Sequence, residues 1–275
     1  HPKKDKQIPE QDSTSPEGHI RMGGSNMTSA VIQEIAAKNI ITKTDIPVCD
    51  YAVNPYVGCT HGCKYCYASF MKRFTNHPEP GRVSGCKYWP EIRKPEKYAG
   101  KELFFGTVTD PYNPQEEQYR RTRSLLEQLQ GSGIKITIQT KSDLVLRDID
   151  LLKTFSDIRL VFHQYSGRGV PADMDKAVSI ERRLAAMKTL HEAGIRTTCF
   201  ISPIFPALTD VPAIIDRVKS QCQLVWLENL NLRGGYKTAI LAYIQEKYPR
   251  LLPLYREIYQ AGDRSYLAGA GRTAE

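Results

Sequence analysis

The sequence has no run of about 18 apolar residues, so no membrane-spanning helix is expected. It also lacks an apolar stretch near its start. Residues 1–27 are rich in Lys, Gln, Ser, Pro and Gly and do not read as a secretory signal; they predict a disordered or non-native N-terminal segment. Without an export signal, the cytoplasm is the expected location. Cysteine is scarce and odd in number, seven in 275 residues, which argues against a disulfide framework in a chain long enough to bury a full core. No solenoid repeat recurs, and no helix-turn-helix, zinc-finger or RNA-binding signature is found.

What is present reads as an ordinary globular chain, 41% hydrophobic and 25% charged. The formal net charge of +8 is concentrated: nine Lys or Arg against three Glu lie between Lys64 and Lys101. Such a stretch is either a solvated surface or an attractor for an anionic substrate or partner. From about residue 50, apolar strand-like runs alternate with helical stretches. The strand candidates are LFFGTV (103–108), IKITIQ (134–139), IRLVF (158–162), IRTTCFI (195–201) and LVWLENL (224–230), with a short strand near 51–57 before them. Helices are predicted over 116–130, 147–155 with a Ser142 or Asp143 cap, 174–193 closed by Gly194, 211–220 capped by Asp210, and 236–247, with another beyond Arg250. Six βα units imply a parallel sheet, either a partial barrel or a doubly wound sheet. Function then belongs at the carboxyl ends of the strands.

Three of the seven cysteines fall within eight residues, in VGCTHGCKYCYASF, as Cys59, Cys63 and Cys66. Their C-x3-C-x2-C spacing suits a cubane held at three corners by soft thiolates, with one iron left open, and Gly58 and Gly62 let the backbone wrap tightly. Structural zinc is the competing reading. It requires a fourth ligand, and His61, Cys49 and Cys86 are the candidates. The scattered Cys199 and Cys222 lie in or beside apolar strands and read as core residues.

C-x3-C-x2-C with an aromatic residue before the last Cys, here Tyr65, resembles the radical SAM superfamily. The fuller blocks NPYVGCTHGCKYCYA, TDPYNPQE, TKS-x4-RD and ISPIFPALTD resemble its spore photoproduct lyase-like (DNA repair photolyase-like) branch over about residues 46–260. The resemblance implies an α/β fold, a partial (β/α)6 TIM-like barrel, for a core of residues 28–266. It implies a [4Fe–4S] cluster and S-adenosyl-L-methionine as cofactors, the latter chelating the open iron. Reductive cleavage would then give a 5′-deoxyadenosyl radical that abstracts hydrogen from a substrate, fed by an external low-potential electron donor. Position by position, Tyr65 would lie beside the adenine, Thr109 and Asp110 would meet the cofactor's amino group, and Lys141 and Ser142 would hold its carboxylate. Independently of the resemblance, Asn229, Asn231 and Arg233 end the sixth strand and are candidates to line the substrate side.

Three segments depart from the pattern, as local frame shifts or real divergence would produce. GRVSGCK (81–87) is less apolar than a strand entry, HQYSGRGVP (163–171) replaces a small polar residue, often Ser, after the fourth strand, and LAGAGRTAE (267–275) reads as irregular or truncated. Three functions follow for testing: a radical SAM lyase-like enzyme acting on nucleic acid, one modifying a peptide or small molecule, and a non-catalytic iron–sulfur or zinc module. No catalytic residue is assigned.

Overall fold

The five apolar runs and the short one before the cysteines become strands because each alternates small clusters of β-branched and aromatic residues that can be buried on both faces. We describe them in a computed structural model, which covers residues 31–68, 81, 83–164, 172–232 and 235–270. The N-terminal segment 1–27 lies outside these residues. Ten strands occur among them: β1 (Val31–Ala36), β2 (Ile41–Lys43), β3 (Tyr51–Val53), β4 (Tyr56–Val57), β5 (Val83–Tyr88), β6 (Glu102–Phe105), β7 (Lys135–Thr140), β8 (Ile158–Gln164), β9 (Arg196–Ile204) and β10 (Leu224–Asn229). The four longer helices are α1 (Arg121–Leu129), α2 (Ile180–Glu192), α3 (Val211–Val218) and α4 (Tyr236–Lys247).

The main sheet runs β10-β9-β8-β7-β6-β3-β2. Strands β3, β6, β7, β8, β9 and β10 are parallel and adjacent in chain order, while β2 pairs antiparallel at the edge. This is the expected six-unit α/β sheet, an open arc rather than a closed barrel. A second sheet, β1-β5-β4, stands beside it. GRVSGCK therefore does enter a strand: β5 pairs parallel with β1 and antiparallel with β4, and its Cys86 is fully buried.

The outer faces of the parallel strands carry Leu103, Phe105, Ile136, Ile138, Leu160 and Cys199 into one core with Leu125 and Leu129 of α1, Met187 and Leu190 of α2, and Val218 of α3. Burying each large side chain contributes roughly 1.5–3 kcal/mol, so this layer fixes where the helices lie. A smaller cluster of Tyr65, Met174, Phe205, Ile240 and Tyr243 packs the cysteine loop against the carboxyl end of β9 and against α4.

Several predicted boundaries move, each for a local reason. The helix expected over 116–130 breaks at Arg120, whose φ is 49°. The carboxylate of Glu116, in the preceding turn, accepts the amides of Thr122 at 2.9 Å and Arg123 at 3.1 Å, and so caps α1 as a separate helix. Helix α2 begins at Ile180 rather than 174 because the Ser179 hydroxyl accepts the amide of Arg182. The stretch 147–155 holds only a short helix, Ile149–Leu152, after a 3₁₀ segment capped by Ser142. At the far end, Ser265–Ala270 is helical, so the part of 267–275 within the described residues is not irregular.

Candidate cofactor site

The connection that leaves β3, by way of the two-residue β4, carries Cys59, Cys63 and Cys66 to the carboxyl ends of the strands. Its tight winding rests on Gly62, with φ of 57°, and on Gly81, with φ of 80°, whose backbones meet face to face. A Cβ on Gly81 would lie 2.9 Å from Gly62 Cα. Burial pushes the Cys59 thiol up, reinforced by Asp110 and Cys63 and partly offset by the amides of Asp110 and His61. Burial likewise pushes Cys66 up to about 11, raised further by Cys63 and lowered by Lys141. Cys59 and Cys66 thus each feel Cys63, and the N–H donors and Lys141 offset only part of the burial that favours their thiol form. Among the described residues, no group of His, Cys, Asp and Glu forms a ready metal cage. Coordination would have to draw the thiols together and take their protons.

Lys141 is the centre of the site. It leaves the end of β7 buried, with Nζ 3.2 Å from Cys63 Sγ and donating to Tyr65 Oη at 2.8 Å. The Tyr65 hydroxyl in turn donates to Asp175 at 2.9 Å, and its ring packs edge-on against Phe205. Asp175 lies 3.8 Å from Lys141 Nζ and is held by Arg183 of α2 at 3.0 Å, both side chains almost fully buried. Burial raises the Asp175 carboxyl, but Lys141 and Arg183 outweigh it and hold the group below its ordinary range.

Asp110 joins two loops. Its carboxylate accepts the amide of Tyr112 at 2.8 Å, the hydroxyl of Thr140 at 2.7 Å and the amide of Lys141 at 2.7 Å. His61 is buried, with Nδ1 3.5 Å from Asp110 and not hydrogen-bonded. Burial holds it neutral despite that carboxylate. Thr109 donates to the Tyr56 carbonyl at 3.2 Å, and the Ser142 hydroxyl accepts the amide of Leu144 at 3.2 Å. Of the residues singled out in the sequence, Tyr65, Lys141 and Cys63 therefore meet directly. Thr109, Asp110 and Ser142 frame them through the loops after β6 and β7.

Other expectations fall elsewhere. Cys49 precedes β3, at the opposite end of that strand from the thiol loop, and Cys86 keeps company with Arg121, Glu116 and Glu34. Of the three fourth-ligand candidates for zinc, only His61 shares the site. Asn229 ends β10, Asn231 accepts the Tyr236 hydroxyl through its carbonyl, and Arg233 lies outside the described residues. His163, at the end of β8, is held neutral by burial and has a buried Nδ1 without a hydrogen bond, while 165–171 lies outside the described residues. The basic stretch divides. Lys64 stays at the loop, bound to Asp173 at 3.0 Å, whereas Lys101 reaches the amino end of β6. Asp175 and Arg183 have no sequence signal beyond standing at the start of a helix, and only the fold brings them to Lys141.

Residues 53–217 match the profile described as the Radical SAM superfamily. An uncharacterised protein of Methanocaldococcus jannaschii is 38% identical over 222 residues, covering 79% of this chain and 84% of that protein. A radical SAM Nα-GlyT isomerase of Pseudomonas phage M6 is 24% identical over 179 residues, 60% of this chain and 36% of that one. Among solved structures, spore photoproduct lyase with bound AdoMet and dinucleoside spore photoproduct has a TM-score of 0.57 at 14% identity. The same enzyme complexed with dinucleoside spore photoproduct gives 0.59 at 16%. In both, 80% of this chain and 66% of the lyase chain are covered, and at such identity the likeness is one of fold.

Proposed function

Because this chain belongs to the radical SAM superfamily, whose enzymes use a [4Fe–4S] cluster and S-adenosyl-L-methionine, we propose that Cys59, Cys63 and Cys66 hold three irons of the cluster. On this reading Tyr65, Thr109, Asp110, Lys141 and Ser142 surround the S-adenosyl-L-methionine that ligates the fourth. When bound, these groups supply one-electron cleavage of the sulfonium to a 5′-deoxyadenosyl radical, the electron coming from an external low-potential donor.

The observation that carries the assignment is Lys141 Nζ, buried between Cys63 Sγ at 3.2 Å and Tyr65 Oη at 2.8 Å. A cation beside the thiol loop, out of bulk water, can hold a carboxylate by a charge-assisted bond. Asp175 and Arg183 fix where that cation and the Tyr65 ring stand. Asp110 ties the loops after β6 and β7 together, and the smaller core around Phe205 would help to exclude water from the site. The substrate class we propose is nucleic acid. The fold it shares with a lyase crystallised with a dinucleoside lesion supports this, as does a net charge of +8.

Anaerobic reconstitution tests the whole reading. The protein should take up iron and sulfide and give a reduced-cluster EPR signal that shifts on adding S-adenosyl-L-methionine. It should form 5′-deoxyadenosine with dithionite. Replacing any one loop cysteine with Ala should abolish iron uptake, and Lys141→Met should keep the iron while losing the shift. Zinc in place of iron, or iron retained after one of those Ala replacements, ends the proposal. DNA affinity falling steeply with salt supports the nucleic-acid substrate, and its absence turns the search to peptides or small molecules.

A further inference from the structure

Arg159 and Arg196 are register partners on the adjacent parallel strands β8 and β9, so they project from the same face. Like charges set directly opposite across a ladder repel. Arg196 forms an ion pair with Asp157, and Glu102 of β6 accepts the Thr137 hydroxyl at 2.6 Å. Among the described residues Arg159 finds no acidic partner. Both arginines and Lys135 of β7 line a cavity of about 370 Å³, walled on its apolar side by Phe104 and Trp226. That volume lies within the roughly 300–1,000 Å³ of small-molecule sites.

The cavity opens where β6, β7, β8 and β9 begin, whereas the cysteine loop follows the carboxyl end of β3. It is therefore a place apart from the cofactor site and does not depend on that assignment. The amino-terminal mouth of such a sheet ordinarily serves stability, and a stabilising floor would pair its charges. Here Asp157 is paired with Arg196 and Glu102 stands opposite Lys135 in the β6–β7 register, so of three cations against two acids one guanidinium, Arg159, is left over, and it shares its space with an indole. Trp226 is braced on one side, its ring set edge-on to Phe200 at 5.8 Å and 85°.

We propose that this mouth is a second binding site, for a nucleoside monophosphate, with the phosphate taken by Arg159 and Lys135 and the base against Trp226. Guanidinium forks match phosphate oxygens, an anion held by Arg159 offsets its repulsion with Arg196, and indole rings accept any base by stacking. Glu102 and Asp157 on the same rim limit the site to a ligand of low charge.

Calorimetric titration of the reconstituted full chain with thymidine monophosphate should show one site. Affinity should fall at least about tenfold in Arg159→Met, the loss of one charge-assisted contact, and also in Trp226→Leu. Formation of 5′-deoxyadenosine should be unchanged in Arg159→Met. In phosphate-free buffer Arg159→Met should melt at or above the wild-type temperature, because a repulsion has been removed, whereas a structural arginine would give a lower value. No binding of thymidine monophosphate at millimolar concentration overturns the proposal. So does a lowered melting temperature in that variant, or inorganic phosphate binding as tightly as the nucleotide.

Discussion

Asp148 ends the TKS-x4-RD block and is fully buried, yet it touches no part of the cofactor site. Its oxygens accept from Arg123 at 2.7 Å, from Arg147 at 2.8 and 2.9 Å, and from the Tyr112 hydroxyl at 3.1 Å. Arg147 reaches on to Glu116 at 2.8 Å, and the Tyr56 hydroxyl donates to Glu116 as well. The acidic and basic ends of the motif blocks thus tie the loops after β6 and β7 into one buried knot. Burial raises the Asp148 carboxyl, but the hydrogen bonds from Arg147 and Arg123 outweigh it and hold the group below its usual 3.8. A depressed folded value means stability that is present above pH 4 and lost as pH falls through that value. Asp148→Asn should therefore lower stability by about 1.5–3 kcal/mol at pH 7, since Arg147 and Arg123 each lose a charge-assisted bond and keep only Glu116, Glu127 and Asp150. Thermal melts should show the gap between variant and wild type narrowing below pH 4. A gap that stays constant into acid means that the carboxylate charge is not what matters.

At the scale of elements, the parallel strands were legible because their apolar runs are bounded by turn residues, even at β10, which is itself half exposed. The start of α3 was equally plain, since the Asp210 carboxylate accepts the amide of Ala213 at 3.0 Å. What sequence could not show is where a distant side chain replaces a local cap. Glu116 splits one periodic run into two helices, and nothing in the run itself marks the break. Strand β5 was missed because VSGCKY is not apolar by itself and becomes a strand only between β1 and β4. The same limit applies to the site. The cysteine spacing marks the thiol loop, while Asp175 and the pairing of Gly62 with Gly81 depend on contacts across the fold. That glycine pair is a sharp element-scale test. Gly81→Ala adds a Cβ into backbone rather than into a flexible side chain, at a φ that side chains resist. The cysteine loop must shift, so reconstituted Gly81→Ala should hold less iron per chain while its far-ultraviolet dichroism stays as in wild type. Full iron content would show that the loop tolerates the displacement.

At the scale of the molecule, the cofactor site exists only because separate loops reach the same end of one sheet. Lys141 and Tyr65 are 76 residues apart in sequence, and Tyr65 and Asp175 are 110 apart. No single loop supplies the charge balance around Lys141, and α2 contributes to it through Arg183 and the segment before the helix. A ligand that binds the folded state stabilises whatever it contacts, by about 2.7 kcal/mol at a hundredfold excess over Kd. If the Asp175–Arg183 pair supports Lys141 against the cofactor, that stabilisation reaches α2 and does not stop at the cysteine loop. Hydrogen exchange on the reconstituted protein should then slow on adding S-adenosyl-L-methionine in two regions, residues 59–68 and the first turns of Ile180–Glu192. Helix α1 packs on the outer core beside the buried knot and should exchange as before. Protection confined to the cysteine loop would separate the pair from the cofactor and leave Asp175 as a helix-docking residue. Uniform protection of α1 and α2 would mean that the ligand tightens the whole sheet and does not act through this contact.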